Sequence, residues 1–223
     1  MADYRTKAIV LRRTNYGESD RIVQVITESG KKSLLARGVR KEKSKLAGGI
    51  ELFSLSDITV HEGKGNLDIL TSARLVNFYS HILEDYDRLE LAYEILKDIS
   101  KKSEMIESSD FLNVLREALE ALNSCASLKL VRAWFYLNLA EITGDELNLS
   151  TDINGDKLQI DKTYSFDRES ETLCPNDKGN ISASHIKLLR LMRNNGAMLV
   201  SRVSDTEELL DTCLYLVLAV NKH

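Results

Sequence analysis

The chain has 223 residues, 43% hydrophobic and 29% charged, with a formal net charge of −4 at pH 7. That length fits one large domain or two small ones around an ordinary apolar core, and the balance of charge and apolarity excludes a disordered chain. No apolar run reaches the roughly 20 residues of a membrane-spanning helix, the opening "MADYRTKAIVLRR" has charges where a signal peptide is apolar, and three dispersed cysteines (Cys125, Cys174, Cys213) fit reduced thiols, so a cytoplasmic protein with no membrane partner is expected.

Five strand-like segments come first, at residues 6–14, 20–28, 32–39, 50–62 and 67–78. They are parted by turn residues at 15–17, 29–30 and 63–66. Short strands at this spacing predict a small closed barrel over residues 1–78, of OB or SH3-like type.

From residue 79 the apolar period becomes helical. The first helix, over 79–102, places Ile82, Tyr86, Leu89, Tyr93, Leu96 and Ile99 on one stripe. Ser108 or Ser109 caps a second helix carrying Leu112, Leu115, Leu119 and Leu122. A third helix, 128–143, ends at Gly144 and is apolar on several sides, which marks it as central and buried. Residues 145–181 break the pattern and are expected to hold a small hairpin. Two helices follow: one ends at Gly196, and the other starts from a Ser204/Glu207 capping box before residues 209–220. The expected organisation is a barrel domain, 1–78, and a helical domain, 79–223, with an irregular insert at about 145–181.

Charge divides along the chain. Residues 1–75 carry 14 Lys/Arg against 9 Asp/Glu; the rest carries 16 against 25. The basic excess concentrates between strands three and four, in "GVRKEKSKLAGGIELF". From Lys31 to Lys45 lie Lys31, Lys32, Arg37, Arg40, Lys41, Lys43 and Lys45, against the single acid Glu42. Such a run is ordinarily a solvated loop. Here its sign opposes that of the whole chain, and it falls where OB barrels meet single strands. Cationic side chains there would follow phosphates without reading sequence. Arg12, Arg13 and Arg21 extend the track, and Gly38, Gly48 and Gly49 are read as sources of loop freedom. Tyr16 is the one aromatic expected to be exposed, so affinity should rest on charge rather than stacking.

The segments "YGESDRIVQVITESGK" (16–31) and "ARGVRKEKSKL" (36–46), followed by Leu52-Phe53, resemble the N-terminal domain of the bacterial recombination mediator family RecO. The shared features are a Tyr-Gly-Glu-x-Asp turn, the Thr27–Gly30 turn and a Gly38-x-Arg40-x-x-x-Ser44 loop. A weaker similarity continues through "FYLNLAEITGDELNL" (135–149). The resemblance implies an OB-fold joined to a helical domain, an α+β protein. It further implies binding of single- and double-stranded DNA, annealing of complementary strands, and cooperation with RecR in loading RecA onto DNA coated by single-strand-binding protein. The acidic tail of that coating protein is expected at the helical domain, where Lys129 and Arg132 precede Trp134 and Phe135. Family members with paired Cys-x-x-Cys motifs hold zinc after the third helix. Cys174 is the only cysteine in that stretch here, so no zinc or other cofactor is expected. No catalytic motif is present, and a non-enzymatic role is expected. Two further classes fit the same residues: a protein-interaction scaffold whose barrel has little affinity for nucleic acid, and an RNA-binding OB protein.

Overall fold

A computed structural model of the chain describes residues 3–63 and 67–221. Contacts divide the chain into two compact units, Met1–Leu119 and Glu120–His223.

The first unit begins with β1 (Asp3–Tyr16), β2 (Asp20–Thr27), β3 (Gly30–Ala36), β4 (Ser54–His61) and β5 (Asp68–Phe78). They form a closed barrel of order β1-β2-β3-β5-β4, in which β3 and β5 run parallel and every other pairing is antiparallel. This is the OB-fold. Closure requires β1 to serve two neighbours. Its first half pairs with β4 and its second with β2, and a bulge between Val10 and Arg12 bends the strand between them. Alternation fills the interior with Ala8, Val10, Val23, Val25, Leu34, Ile58 and Val60, among others. Of the turn expected at 63–66, residues 64–66 lie outside the described residues.

The fourth strand starts later than its apolar run predicts. Ile50 and Phe53 are both buried in the connection before β4, and Phe53 has φ 57°. Ile50 joins the barrel core, and the Phe53 ring meets that of Tyr93.

A 3-10 turn, Ser80–Glu84, precedes α1 (Tyr86–Lys102), whose first turn is capped by the Asp85 carboxylate accepting from the Arg88 N–H. The buried stripe of α1 is Leu91, Ala92, Ile95, Leu96 and Ile99. Of the expected stripe, Ile82, Leu96 and Ile99 are buried and Leu89 is half-buried, whereas Tyr86 is 77% exposed and Tyr93 49%. Two apolar rows at helical spacing compete on this helix, and the aliphatic one packs tighter. Next comes α2 (Asp110–Asn123), preceded by Ser108, whose Oγ accepts from the Asp110 N–H. Leu112, Leu115, Leu119 and Leu122 are buried along it, as their spacing predicts.

In the second unit α3 (Leu128–Thr143) is the central helix, packed against α4 (Ala183–Asn194), α5 (Ala197–Val200) and α6 (Glu207–Val220). Gly144 ends α3 at φ 82°, donating back to Ala140 and Glu141 carbonyls. The insert holds the expected hairpin, β6 (Tyr164–Asp167) and β7 (Thr172–Pro175). The capping box lies elsewhere than expected. It joins Ser182 and His185 at the start of α4, whereas α6 begins after Thr206 with no side-chain cap. Ser204 falls in a turn beside Asp205, which has φ 56°.

Candidate nucleic-acid interface

The connection between β3 and β4 is tethered rather than loose. Gly38, at φ 62°, donates its N–H to Asp20 Oδ1 at 2.7 Å, and the Arg40 N–H reaches the Ser19 carbonyl at 2.9 Å. The Arg40 guanidinium also donates to the Gly17 carbonyl, at 3.3 Å. The Ser44 N–H bonds the Lys41 carbonyl, and Ser44 Oγ accepts from the Leu46 N–H. Gly17 and Asp20 of the Tyr-Gly-Glu-x-Asp turn and Gly38, Arg40 and Ser44 of the following loop bond one another or stabilise the loop. Gly49 supplies no freedom: it is buried, and a Cβ there would stand 2.4 Å from the Ala73 carbonyl oxygen. It allows a close approach to β5.

This scaffold presents Arg37, Lys41, Lys43 and Lys45 as exposed side chains that form no ion pair among the described residues, with Arg12 exposed likewise on β1. Arg40 is exposed but shares its guanidinium with Gly17. The other cations are placed differently. Arg13 pairs with Glu51 at 2.6 Å, and Arg21 donates to Asn15 Oδ1 at 3.1 Å. Lys32 is half-buried, opposite Val25 in the ladder. Lys31 points to the C-terminal end of α1. Its ammonium donates to the Ser100 carbonyl at 3.0 Å, to Ser100 Oγ at 2.9 Å and to Glu104 Oε1 at 2.7 Å. That bond, followed by the lysine's charge, lowers the Glu104 pKa. Lys31 thus caps a helix end with positive charge.

Sequence reasoning overlooked two features of this unit. Arg5, Lys7 and Arg74 lie with Asp57 on the outer face of β1, β4 and β5, where Arg74 pairs with Asp57 at 3.1 Å. Tyr93, Lys97 and Lys101 line a cleft beside β1. The signal is present in the sequence as an i, i+4, i+8 row, masked because Tyr93 also falls on the apolar stripe of α1.

In the second unit Lys129 pairs with Asp211 at 2.7 Å, a hydrogen bond reinforced by charge that raises the lysine pKa. Arg132 is half-buried. Trp134 belongs to the core, 3% exposed, with its indole N–H donating to the Asn195 carbonyl at 2.8 Å. Cys213 is buried, and desolvation pushes its thiol up to about 12. Among the described residues no group of three or more His, Cys, Asp or Glu side chains could hold a metal ion, and no helix is long and apolar enough to cross a membrane. The insert is organised by other means. The buried Asp152 carboxylate accepts the N–H groups of Asn154 and Asp156, and the fully buried Tyr164 accepts at its hydroxyl from the Gln159 N–H.

A closed OB barrel with a tethered cationic loop, followed by helices interrupted in the chain by a small hairpin, defines a class of two-part OB-fold proteins. Within that class, the family described as "Recombination protein O N terminal" matches residues 1–79. The DNA repair protein RecO of Roseiflexus sp. (strain RS-1) is 30% identical over 222 residues, covering 93% of this chain and 78% of that protein. The RecO of Dehalococcoides mccartyi (strain CBDB1) is 28% identical over 222 residues, 93% of this chain and 85% of its own length. That of Rubrobacter xylanophilus is 33% identical over 146 residues, 65% of this chain and 58% of its own. The chain belongs to the RecO family of DNA repair and recombination proteins.

Proposed function

We propose that this RecO-family chain is a non-enzymatic recombination mediator. In this reading the barrel binds single- and double-stranded DNA, and complementary strands anneal on it. With RecR, the protein helps load RecA onto DNA coated by single-strand-binding protein. The observation that carries the reading is the group of exposed cations on the β3–β4 connection, Arg37, Lys41, Lys43 and Lys45, which form no ion pair among the described residues. Two phosphate chains repel each other, and cations held on a fixed backbone offset that repulsion by displacing counterions. Annealing then needs proximity and neutralised charge, with no covalent step. In this reading the acidic tail of the coating protein meets α3 near Lys129 and Arg132, displacing Asp211 from Lys129. A cytoplasmic, nucleoid-associated location follows from the role.

Salt titration of single-stranded DNA binding tests the proposal. Each phosphate contact adds about 0.7 to the slope of log affinity against log salt. Changing Arg37, Lys41, Lys43 and Lys45 together to Ala should flatten the slope by up to about 3. An unchanged slope places the phosphate site elsewhere. Absence of binding even at very low salt favours the scaffold, and preference for RNA of the same sequence favours the RNA-binding class.

A further inference from the structure

The cleft between β1 and α1, both in the first unit, has a volume of about 540 Å³, within the range of ligand pockets. Its floor is apolar: Leu11 and Leu96 are buried there, and Leu52 is half-buried beside them. Its cations are Arg12 and Arg13 on the strand side and Lys97 and Lys101 on the helix side. The carboxylate within it, Glu104, is already paired with Lys31, and Arg13 is paired with Glu51. Arg12, Lys97 and Lys101 form no ion pair among the described residues. Between floor and rim stands Tyr93, 49% exposed, with its ring in edge contact with the buried Phe53 at 5.1 Å and 74°. An aromatic ring braced on one side and open on the other is a stacking platform.

We infer that this cleft takes unpaired bases of a single DNA strand, with Tyr93 stacking on a base while Arg12, Lys97 and Lys101 hold the flanking phosphates. The inference rests on the DNA-binding reading above and extends it from charge to bases. Charge complementarity selects a polyanion. The combination of an apolar floor and a cationic rim then selects one whose apolar faces are free, which a duplex, with its bases stacked inside, does not offer. Tyr93, Lys97 and Lys101 rise about 6 Å per step along α1, so ring and ammonium groups form a row rather than a cluster, as an extended strand requires. The cleft is also continuous with the cationic connection, since Leu52 and Glu51, the partner of Arg13, belong to the end of that connection.

Full-length protein is titrated with a homothymidine oligonucleotide and with an abasic oligonucleotide of equal length and charge. The abasic strand should bind about tenfold more weakly, the scale of one base–aromatic stack, with the same salt slope. Tyr93→Leu should abolish that difference while Tyr93→Phe preserves it. Lys97→Ala with Lys101→Ala, which leaves the Phe53 contact intact, should weaken both strands and reduce the slope by about 1.4. In Tyr93→Trp the new indole fluorescence should be quenched by the thymidine strand and not by the abasic one. Equal binding of the two strands by wild type overturns the inference and leaves the charge-based proposal standing. Binding of neither strand at low salt removes both. Quenching of Tyr93→Trp by an acidic peptide with apolar side chains, and not by the oligonucleotide, also overturns it and assigns the cleft to a protein partner.

Discussion

Two irregular stretches, residues 37–53 in the first unit and 145–181 in the second, differ in which groups fix their backbone and in the part that cations play in it. In the first, backbone groups and Asp20 fix the path, so Lys41, Lys43 and Lys45 remain exposed. In the second, arginines hold the backbone, two of them contributed by the neighbouring α4. The Arg190 guanidinium donates twice to the Leu149 carbonyl, at 3.0 and 2.6 Å, and Arg193 donates to the Leu147 carbonyl at 2.6 Å. Arg168 donates to the Tyr215 hydroxyl at 2.9 Å and lies over that ring. The lesson is that a cation's function depends on whether its N–H groups are already engaged. Counting charges does not reveal that.

The largest test of the tethered path is Gly49→Ala, which drives a Cβ into the Ala73 carbonyl and should cost about 2–3 kcal/mol in urea unfolding. A neutral result would show that the connection yields where it meets β5. Next, Arg193→Ala leaves the Leu147 carbonyl without its donor, and should destabilise by about 1–2 kcal/mol while the salt slope of DNA binding stays fixed. Lys31→Met removes the donor to Ser100 and Glu104. It should lower the thermal midpoint more modestly, again without changing the slope, although Lys31 sits in the basic run. Lys43→Ala with Lys45→Ala should do the reverse: stability within about 0.5 kcal/mol, slope reduced by about 1.4. A changed slope in the Lys31 variant, or an unchanged one in the Lys43/Lys45 variant, breaks the distinction.

The smallest effect is on pH. Burial depresses the His185 pKa from 6.5, and its Nδ1 accepts the Ser182 N–H at the start of α4 at 3.1 Å. The unfolded chain therefore takes up this proton first. The contribution of His185 to stability is complete above about pH 6.5 and is lost as pH falls through the depressed value. Chemical denaturation followed between neutral and mildly acidic pH should show that decline, and His185→Gln should flatten it.

Much of the fold was legible because its signals are local. Five strands, the α3 boundaries with Gly144, and the 164–175 hairpin follow from turn residues and periodicity. The misreadings share one cause. The α1 stripe, the Ser204 cap and the freedom assigned to Gly49 each required knowing what lay across from the residue. Tyr93 was hidden in the same way, because half-exposure is a property of the surroundings and not of the residue.

Sequence alone determined the barrel, the order of the helices and the position of the cationic run, since turn chemistry, hydrophobic period and net charge act between near neighbours in the chain. Only tertiary structure decided which cations stay free. Lys31 meets Ser100 and Glu104 across about 70 residues of chain, and a charge becomes structural or available according to contacts that closure of the barrel and docking of α1 bring together.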